Sequence, residues 1–206
     1  IMAPGRNIYS TDAGGGYGPV SGTSFAAPMV AATAALLRSA EPALSAIEVM
    51  ERIRTSADDI YSIGNNIDYN YKLGKGRLNM EAALRNTGSP SIRLQALDFN
   101  SSFGNLVFSN DTVSLNLSFI NHLSNAGATN ITLRALNPEV TLYDSLITLP
   151  SLVQGASAVV STPLRFYVGP GVAPGTSLEF LLLYEGEGYS DFEYFDVPVV
   201  PHWLNF

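Results

Sequence analysis

Cysteine is absent from the 206 residues. That removes a disulfide framework, a thiolate metal site and a cysteine nucleophile, and it leaves the compartment open. Charge is also scarce, at 14% of residues against 46% hydrophobic. What charge there is divides unevenly. Residues 1–90 hold eight basic and eight acidic residues, whereas residues 91–206 hold three basic and ten acidic, so the net charge of −7 belongs to the second half. An acidic half argues against nucleic acid as a partner, because phosphates need a basic surface; solubility of an exposed module is its plain meaning. There is no uninterrupted apolar run of about 18 residues, the minimum for a membrane-crossing helix. Histidine occurs twice, as His122 and His202, both in the second half.

The chain opens on Ile1-Met2-Ala3-Pro4-Gly5, a strand-and-turn pattern. An upstream segment is therefore expected, and the lack of a targeting signal carries no weight. Extended Ile8–Thr11 leads into Gly14-Gly15-Gly16-Tyr17-Gly18-Pro19, predicted to lie outside regular structure. Helix is predicted from Thr23 to Ala40, stopped by Pro42. Ser45 and Glu48 have the spacing of a capping box, opening a helix with Ile47, Met50, Ile53 and Ala57 on one face. After a loop through Gly64-Asn65-Asn66, Asn79 caps a short helix from Met80 to Asn86.

At Asn86–Ser91 the period changes from helical to two. This run of turn residues is read as a linker between domains at 1–88 and 91–206. Val113, Leu115, Leu117 and Phe119 alternate with Ser114, Asn116 and Ser118 as in a half-buried strand. Further strands are predicted near Ile92–Phe99, Ile131–Leu136, Val140–Leu149, Ala158–Val168, Leu178–Tyr184 and Phe192–Val199. Short strands at this spacing predict an antiparallel β-sandwich of fibronectin or immunoglobulin type.

The segment Phe25–Ala40 has only Thr33, Arg38 and Ser39 as polar residues. A helix so apolar needs cover on nearly all sides, more than two further helices and a short strand supply. It is expected to have been central in a larger domain whose N-terminal part lies upstream.

Serine is a nucleophile only beside a base, an orienting group and donors for the oxyanion. Gly22-Thr23-Ser24 sets Ser24 at the mouth of the apolar helix, where free N–H groups and the positive dipole end favour developing negative charge. Gly22 admits close backbone approach. Taken alone, the same three residues also suit a simple helix N-cap.

The wider pattern separates these readings. Met2-Ala3-Pro4-Gly5, Ile8-Tyr9-Ser10-Thr11, Tyr17-Gly18 and Ser21-Gly22-Thr23-Ser24-Phe25-Ala26-Ala27-Pro28-Met29-Val30-Ala31 resemble the subtilase (subtilisin-like serine protease) family in order and spacing. Leu73-Gly74-Lys75-Gly76-Arg77-Leu78-Asn79-Met80-Glu81-Ala82-Ala83 resembles the same family's last helix and the turn before it. The resemblance covers residues 1 to about 86. It implies the C-terminal portion of a three-layer α/β domain, mostly helical as present here, and a serine endopeptidase acting on protein or peptide substrates. It also implies a secreted or cell-surface bacterial protein. By that resemblance Ser24 is the acyl-forming nucleophile, with its own N–H as one oxyanion donor and Thr23 supporting the hole. Gly22, Val20 and Phe25 border the cleft. Phe25 stands where many relatives have Met, and Met29 where many have a non-catalytic His. The family's catalytic Asp and His and its oxyanion Asn match nothing here, so the chain alone is expected to be inactive. His122 and His202 do not fit the family's Asp-His-Ser order.

Other motifs weigh less. Ala26 stands where an α/β-hydrolase elbow needs glycine, and Gly74-Lys75-Gly76 lacks phosphate-loop spacing. The cluster Glu185, Glu187, Asp191, Glu193 and Asp196 is a candidate for stabilising calcium, although no loop motif matches and solvated strand ends explain it as well. No metal or cofactor is required for the chemistry. Phe192, Tyr194 and Phe195 read as core rather than a sugar-stacking face. Two readings compete with the enzyme: a binding or adhesion module in which the sandwich is the functional part, and a pseudo-protease.

Overall fold

The structure, a computed structural model, describes residues 1–201. The chain divides into two compact units between Gly88 and Ser89.

The first unit begins with a hairpin of strands β1 (Ile8–Thr11) and β2 (Tyr17–Val20), with Ile8 opposite Val20 and Thr11 opposite Tyr17. Only Asp12–Gly16 forms the turn, closed by Asp12 N–H donating to Gly16 O at 2.8 Å. The sequence pattern predicts no regular structure across Gly14–Pro19, yet Tyr17-Gly18-Pro19 lie in β2. In a two-stranded ribbon each strand is an edge, where proline is tolerated, and Tyr9 and Tyr17 stack at 6.2 Å across the pair.

Helices α1 (Thr23–Ala40), α2 (Ala46–Thr55) and α3 (Met80–Arg85) follow, with a 3-10 turn at Gly64–Tyr69. The predicted caps are present. Ser45 Oγ accepts from Glu48 N at 3.3 Å while Glu48 Oε2 accepts from Ser45 N at 2.7 Å. Asn79 Oδ1 accepts from Ala82 N at 2.8 Å.

Three helices meet on a small core of Leu37, Val49, Ile53 and Ala83, with Val30, Ala34, Leu44, Leu78 and Leu84 packed against it. The face of α2 differs from expectation. Ile47 is 47% exposed and Met50 64% exposed, while Glu51 and Arg52 are buried. The carboxylate of Glu51 accepts from Arg54 Nε at 2.7 Å, and Arg52 reaches Glu41 at 3.2 Å. Apolar residues flank α2 on two sides, and residues 1–88 cover one of them.

The Gly-Lys-Gly segment is a stitch. Met2 N–H donates to Gly76 O, Leu78 N–H to Met2 O, and Arg77 exchanges both backbone bonds with Asp58, all at 2.8–2.9 Å. Gly76 has φ +133°, and a Cβ there would stand 2.0 Å from Asp58 O, so no other residue fits. Arg77 and Asn79 both donate to the Asp58 carboxylate, at 2.8 and 2.7 Å, and hold its pKa below the ordinary 3.8.

The second unit is built of antiparallel strands: β3 (Ile92–Asn100), β4 (Thr112–Asn121), β5 (Thr129–Ala135), β6 (Val140–Asp144), β7 (Leu146–Leu149), β8 (Ser157–Val159), β9 (Leu164–Val168), β10 (Ser177–Gly186) and β11 (Tyr189–Pro198). One sheet has the order β11-β10-β5-β7, and the other β3-β4-β9-β6 with β8 also on β4. Two predicted strands are each two. Val140–Leu149 breaks at Ser145, where the chain leaves one sheet for the other, after an irregular register between Leu142 and Asp144. Ala158–Val168 breaks at Ser161-Thr162-Pro163, immediately before β9.

Both sheets feed one buried apolar cluster. Val113, Leu115, Leu117 and Phe119 of β4 and Leu164, Phe166 and Val168 of β9 meet Ile131 and Leu133 of β5 and Leu178, Phe180 and Leu182 of β10. Phe166 and Phe180 lie 4.7 Å apart, and Phe195 stacks on Phe180 at 5.2 Å, the core role expected for it; Tyr194 is 43% exposed. A polar clasp ties β3 to the other sheet. Glu193 pairs with Arg93 at 2.8 Å and accepts from Leu94 N at 2.7 Å and from the Tyr184 hydroxyl. Burial, with the Glu193 carboxylate beside it, pushes the Tyr184 hydroxyl well above its ordinary pKa.

Three outcomes follow. Gly76→Ala will destabilise the first unit by about 3 kcal/mol or more, while Gly14→Ala, with nothing within 4 Å of its Cβ, leaves it unchanged; thermal melts separate the two. Because the Asp58 carboxyl has a folded-state pKa below 3.8, its contribution is complete above that value and is lost as pH falls through the lower one. Asp58→Asn should flatten that acid limb in a pH series. Phe166→Ala should cost the second unit about 3–5 kcal/mol, read by urea titration.

Candidate active site

Residue Gly22 fixes the entry to α1. Its φ of 156° and ψ of 157° fall in a region open essentially to glycine alone. A Cβ there would meet Ser24 Oγ at 3.3 Å and the Phe25 ring at 3.6 Å. Gly22 N–H donates to Gly5 O at 2.7 Å, and a Cβ on Gly5 would in turn lie 3.0 Å from Gly22 O. The Pro4-Gly5 turn is thus pressed backbone-to-backbone against the segment that presents Ser24. Asn7, at φ 55°, donates its N–H to Ser21 Oγ at 3.0 Å. Gly5, Asn7 and Ser21 as holders of this turn were not found from the sequence. The signal available was an asparagine beside a Pro-Gly pair, since asparagine tolerates positive φ.

The helix N-terminus carries no side-chain cap, so the simple N-cap role for Ser24 or Thr23 is not the one realised. Phe25 N–H turns back to Gly22 O at 3.1 Å. The Thr23 and Ser24 amides of the first turn have no intrahelical acceptor, and no partner for them occurs among the described residues. Ser24 and Thr23 are exposed, and Gly22, Val20 and Phe25 are half-buried around them. An exposed hydroxyl beside a free amide at the positive end of an 18-residue helix suits a group on which negative charge develops.

Pro28 is the sixth helical residue, beyond the first turn. The bond its missing N–H removes is the one to Ser24 O, four residues back. Thr33 turns its hydroxyl onto Met29 O at 2.9 Å inside the core.

No histidine occurs in residues 1–88. His122 lies in the second unit, in the turn after β4, with its N–H on Ser91 O at 2.9 Å. His202 lies outside the described residues. Among the acidic candidates, Glu193 is spent on Arg93, Leu94 N and Tyr184. Asp196 accepts from Ser177, and Asp191 from Phe192 N. No three His, Cys, Asp or Glu residues come together as a metal cluster among the described residues.

The comparisons with known proteins bear on this site. Residues 1–92 match the family described as "Subtilase family". Those residues are similar to that family. Over 83 residues the chain is 41% identical to Subtilisin DY of Bacillus licheniformis, covering 40% of this chain and 28% of that protein. Over 83 residues it is 42% identical to Subtilisin E of Bacillus subtilis (strain 168), covering 40% and 20%. Alkaline elastase YaB of Bacillus sp. (strain YaB) is 36% identical over 85 residues, 41% of this chain and 21% of that protein. The chain thus spans 20–28% of the length of these curated relatives. The FixG-related protein of Vibrio parahaemolyticus, a solved structure, aligns at a TM-score of 0.33 and 12% identity over 57% of this chain and 98% of its own.

Gly22→Ala should cost about 1–3 kcal/mol of backbone strain and displace the Ser24 amide resonance. An unchanged melt and spectrum would contradict the packing described.

Proposed function

We propose that this chain carries the nucleophile portion of a subtilisin-like serine endopeptidase, followed by an accessory β-sandwich of fibronectin or immunoglobulin type. The observation that supports it most is the uncapped entry to α1, where Ser24 Oγ stands exposed beside its own free amide behind a glycine whose backbone conformation strains any other residue.

The chemistry follows from those atoms. Ser24 Oγ attacks the carbonyl carbon of a peptide bond while a base takes its proton; the carbonyl oxygen becomes an oxyanion. The Ser24 N–H donates to that oxyanion, Thr23 supports the hole, and the α1 dipole favours its charge. Collapse of the tetrahedral adduct breaks the C–N bond and leaves an acyl group on Ser24, with the base returning its proton to the departing amine. Water then releases the acyl group. Gly22 lets the substrate backbone approach, and Val20 and Phe25 border the leaving-group side.

Residues 1–88 contain no imidazole, so the base must come from elsewhere in the parent domain and this chain is inactive alone. The uncovered face of α1 supports the same reading: Ala27, Ala31, Ala35 and Leu36 are exposed, and Ile1, Val30, Ala34 and Met50 line an open apolar groove of about 660 Å³ with α2. The remainder of the catalytic domain, seated there, is the expected partner. A protein or peptide substrate and a secreted or cell-surface bacterial setting accompany this reading.

A fluorophosphonate probe tests it. The chain alone should leave Ser24 unlabelled, and the intact parent protein should label at Ser24. Labelling of the isolated chain would overturn its dependence on an external base. An unlabelled intact parent would make this a pseudo-protease.

A further inference from the structure

The second unit has an open side. Among the described residues, β7 pairs only with β5, and β8 only with β4. Leu133 N–H donates to Ser145 O at 2.7 Å, so by alternation Ser145, Ile147 and Leu149 turn their backbone groups to β5. Leu146 and Thr148 turn theirs outward. Asn121 N–H donates to Ala156 O and Val160 N–H to Leu117 O, both at 3.0 Å, which by the same alternation leaves Ser157 and Val159 facing outward on β8. None of these four outward backbones has a partner among the described residues.

Both edges line one groove of about 470 Å³, from Leu146 to Pro150 on one wall and from Ala158 to Thr162 on the other. Its rims are apolar, with Leu146 61% exposed and Val159 81% exposed. Sheet edges ordinarily carry charged residues that prevent pairing. Here no charged residue occurs between Asp144 and Arg165.

We propose that this groove binds an extended peptide strand, neutral or basic in net charge, which adds to β7 through the backbone groups of Leu146 and Thr148 and lays apolar side chains against Val159. Strand addition draws its affinity from such main-chain bonds and its selectivity from alternate side chains. A four-residue strand spans about 13 Å, the scale of β7. A second copy is the poorer occupant for two reasons. Its own β7 edge faces its own β8 across the same groove, and two units that each hold ten acidic against three basic residues repel one another. A basic-flanked strand is drawn to that charge instead. The inference stands apart from the chemistry at Ser24.

The test uses the full chain and a fluorescein-labelled peptide, Lys-Lys-Thr-Val-Thr-Val-Thr-Val-Lys-Lys, with a glutamate-flanked counterpart, read by fluorescence anisotropy. Saturable binding of the basic-flanked peptide is expected, at least tenfold tighter than the acidic one. Thr148→Pro removes an outward N–H and should weaken binding tenfold or more with the circular dichroism spectrum unchanged. Leu146→Lys and Val159→Lys, which leave the backbone intact, should weaken it as well, whereas Tyr143→Ala on β6 should not. Absence of saturable binding, or undiminished binding by both lysine variants, overturns the proposal. So does a sedimenting dimer that the lysine variants dissolve, which assigns the groove to a second copy.

Discussion

The apolarity of α1 is the constraint on which the first unit depends. Eighteen residues form this helix, and only Thr33 and Leu37 of them are buried. Removing apolar surface from water is the main favourable term in folding, at roughly 25 cal/mol per Å², and α1 leaves most of its own unrealised within residues 1–88. The same helix places Ser24 at its N-terminus, so the element that presents the hydroxyl is also the one most in need of cover. The candidate site and the packing of the first unit therefore depend on the same helix.

What α1 lacks in side-chain packing, its entrance has in backbone contacts. Gly76 approaches Asp58 so closely that a Cβ would stand 2.0 Å from its carbonyl oxygen, and Gly5 lies tight against Gly22; Met2 is tied to the first of these through its bonds to Gly76 and Leu78. The second unit has the opposite character. Its two sheets share a core that runs from Ile92 to Val199 and is clasped by Glu193 between Arg93 and Tyr184. Its weak point is the uncharged edge at β7 and β8.

Much of this was legible in the residues because it is local. The capping box at Ser45, the cap at Asn79 and the span Thr23–Ala40 follow from side chains that act on their own turn of helix. The motif around Ser24 was legible for a different reason: it is a chemical pattern matched by resemblance. What escaped depends on distant partners. The face of α2 was misjudged because Ile47 and Met50 are apolar and yet uncovered, while Glu51 and Arg52 are buried through pairings with Arg54 and Glu41. Strand switching at Ser145 was missed although the polar pair Asp144-Ser145 and the apolar pair Leu146-Ile147 interrupt the alternation of Val140–Leu149. The hold of Gly5 on Gly22 joins residues far apart in sequence, and no local rule announces it.

Amide hydrogen exchange on this chain tests the central claim most directly. If α1 is a helix short of its cover, its amides from Ala31 to Leu36 should exchange by local opening, orders of magnitude faster than those of β4, β9 and β10, which open only with the whole second unit. Equal protection of α1 and these strands would contradict it, because residues 1–88 would then suffice to hold the helix that carries Ser24.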